Sequence, residues 1–218
     1  YNPTETTYTV QHKFQKLDGD FEIENEIKQG MYGTETDAQA KNVKGFEAGV
    51  VENTSIGKNT VIVIEYTRLN YTVRFDSAGG SYVTAIEAPF ETQISLSMEQ
   101  TPTKDGYLFD GWMDNKGNKV TNFSLIENML VTASWKIDTS ATANYKIMYW
   151  IQKPTGNNYD FLYSQTKNGN VGRVVNSSDI PDISSSELSK IKLDKTGFTY
   201  SEMDTGKTIE VDGSTVVN

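Results

Sequence analysis

"YTVQHKFQKLDGDFEIENEIKQG", residues 8–30, decides how this chain folds. Tyr8, Val10, His12 and Phe14 share one face, and Thr9, Gln11 and Lys13 the other. That period of two is the mark of a half-buried strand. "LDGD" (17–20) reads as a turn, and "FEIENEI" (21–27) alternates again. Phe21, Ile23 and Ile27 are expected to point inward, with Glu22, Glu24 and Glu26 in solvent. The pair reads as a hairpin. "TVIVIEY" (60–66) is the most hydrophobic run of the segment and is expected to be a central strand. Between them "TDAQAKNVKGF" (36–46) has room for one short helix, with Thr36 or Asp37 as its N-cap.

The plan recurs. "YKIMYWIQKPTGNNYDFLYSQTKNG" (145–169) aligns with residues 8–30, at an offset of 137 at Tyr8/Tyr145 that reaches 139 at Gly30/Gly169 after a two-residue insertion in the turn. Farther on, Gly45-Phe46 falls on Gly197-Phe198, and Thr60 on Thr215. A self-match of this length indicates two copies of one domain. The second copy has a longer middle. There "SSSELSKIKL" carries a capping-box pattern from Ser184 to Glu187, which predicts a helix. Its chain stops at Asn218, so its last strand is expected to be cut short. The opening "YNPTETTYTV" carries no signal peptide, and the sequence is read as a segment of a longer polypeptide.

A different unit, residues 70–136, lies between the copies. It opens with "YTVRFDSAGG", where Tyr71, Val73 and Phe75 share a face, and closes with "LVTASW", where Val131, Ala133 and Trp135 do. The three domains expected are thus 1–69, 70–136 and 137–218. "KIDTSATAN" (136–144) reads as a small polar linker, whereas the junction at Arg68-Leu69-Asn70 is much tighter.

Composition narrows the function. The net charge of −9 is spread over all three segments: 7 basic and 11 acidic groups in 1–69, 5 and 8 in 70–136, 8 and 10 in 137–218. No basic stripe exists to displace counterions from a phosphate backbone, which argues against nucleic acid as a partner. Cys is absent, so disulfides, thiolate metal sites and Cys nucleophiles are excluded. The longest apolar run, Val61–Ile64, is far short of a membrane span.

The middle unit resembles the Listeria–Bacteroides repeat, also called the internalin B-repeat. The residues that carry the resemblance are "YTVRFDSAGGS", "PTKDGYLFDGW" (102–112) and the closing "TASWK" (132–136). Ala78 stands where the family's opening has Asn. The flanking units resemble MucBP-type repeats through "YTVQH" and "YKIMYW", the turn Gly, the Gly-Phe pair and the closing "STVV" and "NTVIVIEYTR". Both resemblances imply an α+β architecture of three tandem ubiquitin-like β-grasp domains, β-rich with one short helix each. They also imply a place in the extracellular part of a wall-anchored or secreted bacterial surface protein.

Within "DGYLFDGW", Tyr107 and Phe109 alternate on one strand face, Gly111 lets the backbone bend, and Trp112 can drop onto the core that Trp135 closes. Gly106, Tyr107, Phe109, Gly111, Trp112 and Trp135 are therefore read as structural. A unit this small needs large aromatic side chains to build a core. His12, the single histidine, lies on an apolar strand face and aligns with Tyr149, which suits a structural role. "DNKGN" (114–118) and "DGD" (18–20) read as hairpin turns rather than cation sites. Met148 and Trp150 face away from Tyr145, Tyr149 and Ile151, and are the best candidates for a partner-binding patch. The expectation is a monomeric, non-catalytic stalk without cofactor or metal. The rival readings are an adhesive module for mucin, host glycoprotein or glycan, and an accessory region of a large secreted enzyme.

Overall fold

The computed structural model describes residues 2–97, 100–194 and 196–218. The chain is β-rich. By compactness it divides into two units. One comprises Tyr1–Ala78, Tyr82–Thr101 and Gly111–Ala133; the other comprises Gly79–Ser81, Pro102–Asp110 and Ser134–Asn218.

The first unit opens with β1 (Glu5–Gln15) and β2 (Phe21–Met31), an antiparallel hairpin closed by Lys16 N–H to Asp20 O at 2.7 Å. β3 (Phe46–Ala48) and β4 (Val61–Arg68) complete a sheet of order β2-β1-β4-β3, with β4 parallel to β1 and central. Its core face carries Tyr8, Val10, Ile62, Ile64 and Tyr66, joined by Ala38 and Ile56. Each fully buried aliphatic or aromatic side chain contributes about 1.5–3 kcal/mol.

Two expectations for this segment are corrected. Phe21, Ile23 and Ile27 point outward, and Ile27 is 74% exposed. The hairpin pairs Tyr8 with Lys28, Val10 with Glu26 and Phe14 with Glu22, so the even-numbered residues of both strands share the core face. The charged residues of β2 therefore stand at the rim of the core. The helix expected over 36–46 does not form. Its backbone donors are claimed instead by side chains from elsewhere in the chain, two on strands and one on the loop before β4. Asp37 N–H donates to the Tyr8 hydroxyl (3.0 Å), Ala38 N–H to Asn53 Oδ1 (2.8 Å) and Lys41 N–H to the Tyr66 hydroxyl (2.8 Å). A donor held this way has no need of a helical carbonyl.

β5 (Asn70–Asp76), β6 (Ile86–Pro89), β8 (Tyr107–Met113), β9 (Lys119–Val120) and β11 (Met129–Ile137) form a sheet of order β6-β5-β11-β8-β9. β7 (Gln93–Ser95) and β10 (Asn122–Ser124) pair separately.

In the second unit, β12 (Thr142–Gln152) and β13 (Tyr159–Asn170) form a long hairpin. β14 (Val216–Val217) runs parallel to β12, in the order β13-β12-β14. The helix signalled by Ser184 and Glu187 is present as α1 (Ser185–Lys190), with Ser184 Oγ accepting from Glu187 N–H at 3.2 Å. It is the α-helix among the described residues.

The long self-match reappears bond for bond. Thr9 N–H donates to Thr60 O (3.0 Å), and Lys146 N–H to Thr215 O (2.9 Å). Gly33 N–H donates to Ile56 O (2.8 Å), and Gly172 N–H to Ile209 O (2.9 Å). The Thr60 hydroxyl accepts from Gly57 N–H, and the Thr215 hydroxyl from Glu210 N–H, both at 2.8 Å. Gly30 lies against Ile56 and Tyr8 as Gly169 lies against Ile209 and Tyr145, with no room for a Cβ at either position.

Candidate functional site

Two joints stand out because so little chain separates the strands they join. β4 ends at Arg68 and β5 begins at Asn70. Arg68 Nε donates to Gln15 O (2.8 Å), and Nη1 to Phe90 O (2.6 Å) and Glu91 Oε2 (2.8 Å). The guanidinium carbon lies 5.0 Å from the centre of the Phe46 ring and 6.0 Å from that of Phe90. Leu69 N–H donates to Gly45 O (2.9 Å), and Phe90 N–H to Leu69 O (2.8 Å). Gly45, at φ +82°, lies so close under the Phe90 ring that a Cβ would overlap it. The sequence shows the Gly-Phe pair but not its contact, which depends on Phe90, 44 positions along the chain from Phe46.

The second joint is shorter than the expected polar linker. β11 runs to Ile137 and β12 begins at Thr142. The residues between them are tied down. Asp138 N–H donates to Gly106 O (2.9 Å), Asp138 Oδ1 accepts from Ser140 N–H (2.9 Å), and Asn170 Nδ2 donates to Thr139 O (2.9 Å). The Ser140 hydroxyl and amide hold the Asp138 carboxyl below its usual range. Gly106, at φ +73°, packs against Val211 with no space for a Cβ.

The aromatic residues of "DGYLFDGW" sit as follows. Trp112 is 3% exposed, lies 4.8 Å from Phe75 between ring centres, and donates from Nε1 to Gln100 O at 2.8 Å. A ring this buried has no face for a sugar. Phe109 meets Trp135 edge to face at 5.7 Å, and Lys104 Nζ lies 4.6 Å over Tyr107 and 5.7 Å over Trp135. Gly111 has φ +134° and lies against the Lys119 stem.

His12 is fully buried. Its Nδ1 lies 2.8 Å from the Tyr66 hydroxyl, and Nε2 lies 3.3 Å from Glu26 Oε2. A carboxylate only accepts, so Nε2–H donates to Glu26; with that one ring proton Nδ1 accepts from the Tyr66 hydroxyl, whose oxygen in turn accepts from Lys41 N–H. At the aligned position the Tyr149 hydroxyl donates to Pro181 O (2.6 Å) and accepts from Gln165 Nε2, and burial pushes its pKa up. Both copies thus place a satisfied polar ring at one core position. The acids of the two turns are occupied by backbone. Asp114 Oδ1 accepts from Lys116 N–H and Asn118 N–H, both at 2.8 Å. The bond from Asn118 is the largest reason its carboxyl is held low. Asp18 is lowered chiefly by Asp20 N–H. Among the described residues no group of three or more His, Asp or Glu converges as metal ligands.

The remaining feature is a cleft of about 1660 Å³ beside β12. Met148 and Trp150 both line it. Trp150 is 42% exposed, meets Phe161 edge to face at 5.7 Å, and donates from Nε1 to Asn218 Oδ1 at 2.9 Å. A bulge between Tyr149 and Trp150 shifts the register so that Trp150 pairs with Phe161. Asp182, Glu202 and Asp204 also line the cleft, and no Lys or Arg does among the described residues.

Residues 71–137 match the Listeria-Bacteroides repeat domain. Two proteins of Evansella cellulosilytica are similar to the chain. One, named as a membrane protein, is 30% identical over 118 residues, which is 52% of this chain and 16% of the relative. The other, named as a Gly-rich membrane protein, is 33% identical over 79 residues, 36% of this chain and 7% of the relative. The chain thus spans less than a fifth of either relative. No helix among the described residues is long and apolar enough to cross a membrane.

Proposed function

We propose that this chain is a non-catalytic spacer segment of a bacterial cell-surface or secreted protein, one that carries a functional domain away from its anchor. Its three modules, 1–69, 70–136 and 137–218, are read as β-grasp-like, the outer two as MucBP-like repeats flanking the Listeria–Bacteroides repeat. The observation that carries the reading is the joint at Arg68. A spacer transmits position only if its modules do not swivel, and here one guanidinium ties Gln15, Phe90 and Glu91 across a one-residue connection. The tied residues 138–141 support the same reading. So do the repeat matched at 71–137 and the relatives named as membrane proteins.

A second reading, an adhesive module for mucin, host glycoprotein or glycan, is favoured by one feature, the exposed Trp150–Phe161 pair. The test is binding of the chain to immobilised mucin and a broad glycan panel, beside a Met148→Gln/Trp150→Lys variant. A spacer gives no saturable signal with either protein. Saturable binding lost in the variant replaces the spacer reading with the adhesive one.

A further inference from the structure

β2 is an edge strand. In the order β2-β1-β4-β3 its far side pairs with no strand among the described residues. The hairpin fixes which of its backbone groups face that side. Lys16 N–H donates to Asp20 O at the turn, and Tyr32 N–H to Thr4 O at the open end. Antiparallel pairs alternate between those that exchange hydrogen bonds and those that do not. Both end pairs join even-numbered residues, so the even residues of β2 direct their backbone groups to β1. The odd ones, Ile23, Asn25, Ile27, Gln29 and Met31, turn N–H and C=O outward. The same residues carry the exposed side chains of the strand: Ile27 is 74% exposed, Ile23 52% and Met31 40%. Free backbone groups beside exposed apolar side chains are a template for another strand.

The side chains of β2 select the strand that fits. Two copies of β2 laid antiparallel across a two-fold axis keep odd residues opposite odd ones. Centred on Asn25, such a pair sets Glu24 opposite Glu26; centred on Glu26, it sets that acid opposite itself; centred on Lys28, it opposes two ammonium groups. A centre at Gln29 opposes no like charges but leaves Ile23 without a partner on the strand. Centred on Ile27, the register has no such fault. Ile27 meets Ile27, Glu26 meets Lys28, Asn25 meets Gln29, Ile23 meets Met31 and Glu24 meets Gly30. Opposite charges facing across strands stabilise a pair, and like charges destabilise it. Lys28 Nζ donates to Asp37 O (2.8 Å) and has further donors for a partner's acid. Glu24 is neutralised within its own chain by Lys41 at 3.0 Å. The aligned strand β13 has Gln165, Thr166 and Lys167 where β2 has Glu26, Ile27 and Lys28. It lacks both the apolar centre and the charge pair, so the surface belongs to the first copy.

We infer that β2 is a docking edge for a second copy of this chain. The two β2 strands pair antiparallel in the register centred on Ile27 and join their sheets into one. On the outer face the row Val61, Thr9, Ile27 then continues into Ile27 of the second copy. Main-chain pairing supplies affinity, and the Glu26–Lys28 and isoleucine contacts set the register. A contact this narrow is of the weak, transient class, so the dimer replaces the monomer expected from the sequence only as concentration rises. The inference does not rest on the spacer reading, since self-association and glycan binding are read by different assays.

The test is sedimentation equilibrium of the full chain up to millimolar concentration, with hydrogen exchange across β2. A dimer is expected to grow in with concentration. Amides of Asn25, Ile27 and Gln29 should then exchange several-fold more slowly, while those of Glu24, Glu26 and Lys28, already held by β1, change little. Ile27→Lys, at a side chain outside the core, should abolish the dimer and leave the urea midpoint in place. Glu26→Lys and Lys28→Glu should each weaken self-association about tenfold by opposing like charges on both sides of the axis. An equimolar mixture of the two should recover it, because lysine then faces glutamate at each site. That recovery separates the interface from any effect of either change on its own fold. The proposal is overturned by a chain that stays monomeric at millimolar concentration, by a dimer that Ile27→Lys leaves intact, by slowed exchange at other strands instead, or by a mixture that associates no better than its components.

Discussion

Replacing Arg68 with alanine tests the first joint where it is most concentrated. The side chain is 12% exposed. It gives two hydrogen bonds to backbone carbonyls, of Gln15 and Phe90. Bonds from a charged donor contribute about 1.5 kcal/mol each at the low end. The Glu91 partner is half exposed, so that ion pair adds only about 0.5 kcal/mol. The contacts over Phe46 and Phe90 add about 0.5 kcal/mol more. The sum, about 4 kcal/mol, is an upper figure because the contacts share one side chain. The assay is hydrogen exchange at Leu69 and Phe90, whose amides bond Gly45 O and Leu69 O across the joint. Arg68→Ala should speed exchange there a few hundredfold, the equivalent of about 3–4 kcal/mol, while amides at the centre of β1 change little. Arg68→Lys should recover little of this, since one ammonium cannot reproduce the planar fork. Acceleration of less than about threefold in Arg68→Ala would mean that the guanidinium does not hold this joint.

Other perturbations follow from single contacts. Gly30→Ala and Gly169→Ala should each destabilise by about 1–3 kcal/mol in urea denaturation. Adding Ile56→Val to the first, or Ile209→Val to the second, should recover part of the loss, because the obstructing atom is Cδ1 in both. His12→Leu should cost about 1–3 kcal/mol by stranding the buried Tyr66 hydroxyl proton; an unchanged midpoint would remove the hydrogen-bonded chain from the account. Asp179 is held below its usual 3.8, first by Arg173 and then by Asn176 N–H. Its contribution is therefore complete above pH 3.8 and lost as pH falls through the lower folded value. Carboxyl NMR should show Arg173→Gln moving that titration part of the way back up, and no movement would separate the two groups.

The strands were legible in the sequence wherever the alternation was local. β1 shows its core face in Tyr8, Val10 and His12, and α1 is announced by Ser184 and Glu187. What escaped depended on distant partners. The facing of β2 is set by the length of the Lys16–Asp20 turn, since a shift of one residue exchanges the two faces of a strand. Residues 36–46 have an acceptable helical composition, yet the hydroxyls of Tyr8 and Tyr66 and the Asn53 amide take their donors first. Trp150 was legible as an outward aromatic, but not its bond to Asn218 or its place in a cleft. Arg68 looked like the end of a strand, and its partners Phe90 and Glu91 come from the turn after β6.

The measurement that bears most directly on the account is backbone 15N relaxation across residues 60–92 of the intact chain. A tied joint gives β4 and β5 one rotational correlation time, with order parameters at Arg68, Leu69 and Asn70 near the value of about 0.85 typical of rigid backbone. Separate correlation times for the two strands, or order parameters at Leu69 below about 0.6, would contradict it.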